Sequence, residues 1–415
     1  MRRFRIALRT IALVMCLTVV LTGFCSCSVA GFIGKNKTSA SAVSEEELVR
    51  LIVAAVNDSS TIAESFSAIP VTQLGEVSYS NFTEYINILD ALIPSDNTVE
   101  SFRFLTDEEK QEYFTELNDL SGVDVTATYG DMDVAVPLFE DGEDTLCRIL
   151  ISSGDTPSLS YDVIADTVAS YNYLSHYLNM VGDDNTAALA GIIAPIYSDE
   201  IYIDSVISAK AQGIIEFYDE YIAENIDEAV LCMATPVYVS FEIPETVRDT
   251  QDGEVHEVGL VLANDEFSIK DSIPVNPGND DIALWKDDKE ILAIGENITR
   301  DEIVAVMGEP MYEVLSSDEE TKILLTYRGI NIVVNIKEQD GDSWTGTVGS
   351  IRMYDNNGYT FGGTVYIGMN LSELLLLYPF IDEDNWVLSF TDEDVTYSLI
   401  FEYDENNNVT DIRLR

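Results

Sequence analysis

Hydrophobic and polar positions in the last third of the chain fall into one run of elements written twice. Thr299 and Glu302 have the spacing of a capping box, and Ile303, Val306 and Met307 follow at helical spacing. Gly308 stops that helix and Pro310 prevents its resumption. Ile330, Ile332, Val334 and Ile336 then alternate with Asn331, Val333 and Asn335, which predicts a strand with one core face and one partly polar face. Laying Asn297 on Gly368 places Ile298 on Met369, Glu302 on Glu373, Ile303 on Leu374 and Gly308 on Pro379. The ends match as well: Thr326-Tyr327 with Thr396-Tyr397, and Ile351-Arg352-Met353 with Ile412-Arg413-Leu414. In the second copy Trp386, Leu388 and Phe390 alternate, as do Tyr397, Leu399, Phe401 and Tyr403. Residues 290–415 therefore read as tandem units, 290–355 and 362–415, each a helical start followed by an antiparallel sheet.

The middle region, 44–275, carries helix patterns and then strand patterns, twice over. Ser44 and Glu47 open a helix with Leu48, Leu51 and Ile52 on one face, and further helices are expected near 80–93 and 107–118. Strands are expected at Val123 and Val125, at Met132 to Leu138, and at Cys147, Ile149 and Ile151. The second round has a long helix striped by Tyr161, Ile164, Val168, Tyr171, Leu174 and Leu178. Another helix, about 199–224, carries Ile203, Ile207, Ile214, Tyr218 and Tyr221. Strands follow at Val237 to Ile243, 256–263 and 266–272. The class is α+β, with units 44–155 and 156–275 and a linker, 276–289, before the tandem pair.

Composition changes the picture in two ways. The formal net charge is −52, which excludes nucleic acid as an ordinary partner and favours a cationic one. Yet 46% of the residues are hydrophobic, enough for real cores, so the charge reads as a solvated shell.

The start of the chain reads as an export signal. Arg2, Arg3, Arg5 and Arg9 precede 23 uncharged positions, 11–33, whose apolar core, Ile11 to Leu21, is followed by Phe24-Cys25-Ser26-Cys27-Ser28. A small residue before a cysteine resembles a bacterial lipobox, with Cys27 as the lipidated residue and Cys25 as the alternative. Residues 1–27 are then a signal peptide, 28–43 a small, polar tether, and the rest lies outside the cytoplasm. An uncleaved anchor and simple release are the competing readings.

Catalytic and metal chemistry finds no signature. His176 and His256 are the two histidines, both expected at the surface, and there is no HExxH, CxxC or G-x-S-x-G. Asp404 to Asn408 begins like an EF-hand loop but has Val409 where glycine is needed and Arg415 where the closing glutamate belongs. Neither a cofactor nor a metal is expected. Cys147 reads as a core thiol, with a Cys147–Cys232 disulfide as the open alternative. Trp386 reads as core; tryptophan is mostly buried in general, and Trp344, beside Gly341-Asp342-Ser343, is the one candidate for exposure. Trp344, Asn331 and Asn335 form the candidate binding surface.

The Gly/Asn-Met/Ile-Thr/Asn start, acidic helix, Gly-x-Pro and following strands resemble the β-lactamase-inhibitor-protein-like repeat. That superfamily includes small outer-membrane-assembly lipoproteins of the SmpA/OmlA type. The resemblance covers about a third of the chain and implies a sheet surface that grips another protein. Neither copy holds a cysteine, so the inhibitors' disulfides are missing. The leading expectation is a membrane-tethered, non-enzymatic lipoprotein that binds an envelope or secreted protein through its repeat pair. The alternative is a solute- or wall-fragment-binding lipoprotein with its pocket in 44–275; the third reading is a carboxylate-based hydrolase.

Overall fold

The computed structural model describes residues 41–415, except 96, 155, 198, 223–225, 245–254, 274–282, 316–320 and 393–394. Cys25 and Cys27 lie outside the described residues, as does the first half of the expected linker. The fold is α+β.

The first layer of helices comprises α1 (Glu45–Asn57), α2 (Ile62–Ala68), α3 (Val71–Leu74) and α4 (Tyr79–Ala91). The Ser44 hydroxyl accepts from Glu47 N at the start of α1, and Leu48, Val49 and Ile52 are buried along it. A three-stranded antiparallel sheet follows in the order β1 (Ser101–Phe104), β2 (Met132–Leu138) and β3 (Ile149–Ser152), with α5 (Asp107–Ser121) and α6 (Val125–Tyr129) between β1 and β2. The expected strand at Val123 and Val125 is therefore a helix. Gly122, at φ 71, ends α5, and Asp124 then caps α6 by accepting from Ala127 N. Asn118 Oδ1 accepts from Val125 N, so side chains supply the bonds a sheet neighbour would have given.

In the second layer α7 (Tyr161–Gly182), α8 (Thr186–Ile193) and α9 (Asp204–Tyr221) cover a sheet of β4 (Val230–Ala234), β5 (Tyr238–Pro244), β6 (Val255–Ala263) and β7 (Glu266–Asp271). Asn264 and Asp265, both at positive φ, turn β6 into β7. The stripe on α7 sits slightly off the expected one: Tyr161 is exposed and Tyr177 fully buried. Ile203, outside α9 at its N-cap, is exposed too. Tyr113, Phe114 and Leu117 of α5 share a core with Val237, Tyr238 and Val261, so the two layers are packed together.

The tandem pair follows a hairpin, β8 (Ala283–Lys286) and β9 (Lys289–Ala293), which occupies part of the expected linker. The first copy is β10 (Asn297–Thr299), α10 (Arg300–Met307), β11 (Tyr312–Leu315), β12 (Lys322–Tyr327), β13 (Ile330–Asp340) and β14 (Ser343–Met353). After β15 (Tyr359–Phe361), which pairs with β8, the second is α11 (Leu371–Leu377), β16 (Val387–Asp392), β17 (Val395–Tyr403) and β18 (Val409–Leu414). The helix N-caps, Thr299 and Asn370, stand 71 positions apart, matching the sequence alignment. Ile303 and Leu374, aligned with each other, are both fully buried. On α10 the inward positions are Ile303, Val304 and Met307; Val306, expected with them, is exposed.

The copies join at their last strands. Ile351 faces Leu414, Arg352 faces Arg413 and Met353 faces Ile412, so equivalent strands meet antiparallel about a local two-fold at the arginine pair. The result is one eight-stranded sheet, β11-β12-β13-β14-β18-β17-β16, with β10 on β14. Residues 44–415 form a single compact unit.

Candidate functional site

One face of the large sheet is core. Ile323, Leu325, Ile330, Ile332, Ile351, Leu399 and Ile412 pack there with Ile303 of α10 and Leu371, Leu374 and Leu375 of α11. Because side chains alternate along each strand, the intervening residues make up the opposite face. Register aligns them in an unbroken row across all seven strands of the path: Tyr312, Thr326, Asn331, Arg352, Arg413, Ile400 and Val387. A second row sets Val314 beside Leu324 and Leu324 beside Val333. Tyr312 is 63% exposed and Val314 53%, so the β11 end of this face presents apolar surface to solvent.

The middle of the row is built on charge. Asp411, nearly fully buried, accepts from Arg352 Nε at 2.7 Å and Arg413 Nε at 2.8 Å. Arg413 also reaches Glu402 at 2.5 Å, and the Arg352 guanidinium lies 5.7 Å from the Tyr354 ring centre. A buried carboxylate thus sets the orientation of two half-exposed arginines at the local two-fold.

The sequence-predicted surface residues separate. Asn331 and Asn335 both lie on the outer side of β13: Asn331 in the central row, Asn335 exposed beside Gly349. The Asn331 Oδ1 atom is out of solvent without a hydrogen-bond partner. Trp344 does not join them. It is only 3% exposed, sits on the core face, and donates its indole N–H to Glu313 at 2.7 Å. Glu313 also takes Arg300 Nε at 3.0 Å, so Trp344 anchors β11 and α10 to β14. The glycine-containing turn before it favoured a surface reading, but strand alternation assigns 344, 346 and 348 inward.

His256 is the second correction. It is buried, and its Nε2 lies 2.7 Å from Asp271 Oδ1. Asp271 Oδ2 accepts from Tyr177 at 2.5 Å and from Tyr218 at 3.1 Å. Burial, with the nearby Asp271 charge, pushes both phenols well above their ordinary pKa. The rings of Phe217 and Tyr218 pack against the imidazole. This network draws one residue from α7, two from α9 and one each from β6 and β7; His256 opens the pattern of its strand amid acids, which hid it. His176 is exposed as expected.

A third cluster joins the middle region to the second copy. Lys210 of α9 is buried against the Pro379 carbonyl and lies 2.6 Å from Glu383. Its ammonium is 4.8 Å from the Tyr197 ring centre and 5.7 Å from those of Tyr202 and Phe380. Burial pulls Lys210 down to about 8 and, with Asp384 and Asp199, pushes Glu383 up to about 7; the close contact between the two acts against both shifts. Gly213 lets the Phe380 ring approach beside this pair, since a Cβ there would stand 2.6 Å from the ring and displace it.

Cys147 is buried, its thiol donates to Leu89 O at 3.1 Å, and burial raises its pKa to about 12. Cys147 and Cys232 are both free, so the disulfide alternative is overturned. Among the described residues no group of acids, histidines and cysteines is arranged to hold a metal ion. Nor is any helix among them long and apolar enough to cross a membrane.

Fold and site together define an α+β protein with an extended, mixed polar and apolar sheet face. No family model, curated protein or solved structure matches the chain.

Proposed function

We propose that the chain is an extracytoplasmic, membrane-tethered module that binds another protein through the open face of its large sheet and carries out no chemistry itself. The observation that carries this reading is the row from Tyr312 to Val387, continuous across both copies, on the face turned away from the core. Apolar residues at one end and oriented arginines in the middle give the combination of burial and directional bonding that protein interfaces use. The resemblance to tandem inhibitor-like repeats points the same way. Tethering is proposed through a lipid on Cys27, for which the support is the leader and cysteine pattern. The non-enzymatic reading is supported by the burial of His256 and Asp271, a pairing of catalytic shape with both side chains withdrawn from solvent.

The test uses full-length protein in detergent, immobilised and exposed to an envelope extract of the source cell. A single protein retained stoichiometrically by wild type, and lost with Leu324→Asp and Ile400→Asp at unchanged melting temperature, is the expected result. Retention that ignores both substitutions, or no retention at all, would overturn the reading. The alternative, a pocket for a small solute in 44–275, has less support. The space between α7, α9 and the middle sheet is filled by the Tyr177–Tyr218–His256–Asp271 network.

A further inference from the structure

The sheet β1-β2-β3 has an open edge at β1, and α1 runs alongside it. Between them lies a groove of about 770 Å³. Leu51, Val53 and Ala54 line it from the helix, and residues 99–104 from the strand.

Register decides which main-chain groups look into the groove. Leu105 N donates to Val134 O, in register with the ladder, so Leu105 turns toward β2. Glu100 N reaches the carbonyl of Leu138, which stands opposite Ser101, so the ladder is irregular by one residue before Ser101. Bonded and non-bonded residues alternate along an antiparallel ladder. Arg103 therefore also turns inward, and the N–H and C=O of Phe102 and Phe104 turn outward. The identity of the residue opposite Phe102 agrees: it is Pro137, which has no N–H to give. None of the bonds formed outside the ladders among the described residues engages these four outward groups.

At one end the groove already holds a mimic of its occupant. Asn57, the last residue of α1, donates from Nδ2 to Val99 O at 2.7 Å and accepts from Val99 N at 3.0 Å. That is the paired exchange a neighbouring strand residue makes with its partner. The side-chain amide caps the edge at Val99 and leaves the next outward positions, Phe102 and Phe104, for a strand that is not part of the unit. Edge strands are ordinarily blunted by lysine, proline or a covering loop; β1 reads Ser-Phe-Arg-Phe, and its Arg103 is held by Glu109 at 2.9 Å and Asp144 at 2.7 Å. The rim carries Glu46, Glu47 and Glu100, of which the first two share Arg50.

We propose that this groove binds an extended, cationic peptide segment of another protein, which adds to β1 as a fourth strand. Phe102 and Phe104 supply the main-chain bonds, the apolar face of α1 receives alternate side chains, and the acidic rim, within a chain of net charge −52, selects lysine and arginine at the positions between. The site is separate from the large sheet face, so it stands or falls independently of the function proposed above.

The test probes full-length protein in detergent with an array of randomised octapeptides. Ala54→Trp fills the groove from an exposed helix position, and thermal unfolding confirms that the fold is kept. Expected are enrichment of peptides with alternating basic residues, at least tenfold weaker binding by A54W, and a similar loss when alternate backbone nitrogens of the best peptide are methylated at constant charge. No enrichment overturns the proposal. So does binding that survives both A54W and methylation, because attraction would then be charge alone.

Discussion

Single residues settle whether a position is surface or core, and one of them sets a pH response. Glu45, at the first position of α1, has its pKa raised to about 7 by burial and then by the adjacent Asp133. An acid whose folded pKa stands above its unfolded value withdraws stability as pH rises through that interval. Glu45→Gln is therefore expected to be near neutral at pH 5 and to stabilise the protein at pH 8 by about 1 kcal/mol, solvent screening holding it below the full shift. Urea unfolding at the two pH values checks this; an equal effect at both would remove Glu45 as the titrating group. Trp344 and His256 show why such environments are hard to read from sequence. Neighbours along the chain suggested turn and acid for each, yet their burial comes from Glu313 on β11 and from Tyr218 on α9. Cys147, by contrast, was legible as core from its spacing with Ile149 and Ile151, and it is buried although β3 begins only at Ile149.

Among elements, period and capping were the legible signals, and pairing was the illegible one. The capping box at Thr299 and Glu302 forms as expected, and the alternation from Ile330 to Val334 is core on one side. The strand at 101–104 carried no alternation long enough to find, and α6 replaced a strand because Asp124 and Asn118 supply local bonds. The junction of β14 with β18 could not be derived from either copy alone. It concentrates on Asp411, whose carboxylate serves both arginines. Asp411→Asn is expected to cost about 2 kcal/mol, less than a fully buried pair because both guanidinium groups reach solvent. Hydrogen exchange would show the loss as faster opening of β18; unchanged protection there would mean that the arginines do not hold the seam.

At the scale of the molecule, α9 links the middle region to the second copy through Lys210, Gly213 and Phe380. Lys210→Met removes the cation and leaves Glu383 buried near Asp384 and Asp199. Below about pH 7 that carboxyl can take a proton; above it, an unpaired charge remains. The variant should therefore lose more stability at pH 8 than at pH 6, by about 1–2 kcal/mol. At pH 8 its urea unfolding should separate into two transitions where wild type shows one. Identical losses at both pH values would show that Glu383 is not the group exposed by the substitution.

The local two-fold at Arg352 and Arg413 gives the tandem pair the geometry of a homodimer whose protomers happen to be fused in one chain. Each copy alone would end in an uncovered strand, β14 or β18, and fusion replaces an encounter between molecules by one along a short connection. A fused dimer is free to diverge on its two sides without losing its partner. The outer face bears this mark: aromatic and apolar at the β11 end, with Tyr312 and Val314, and aliphatic at the β16 end, it offers two unlike half-sites to a target that need have no symmetry of its own.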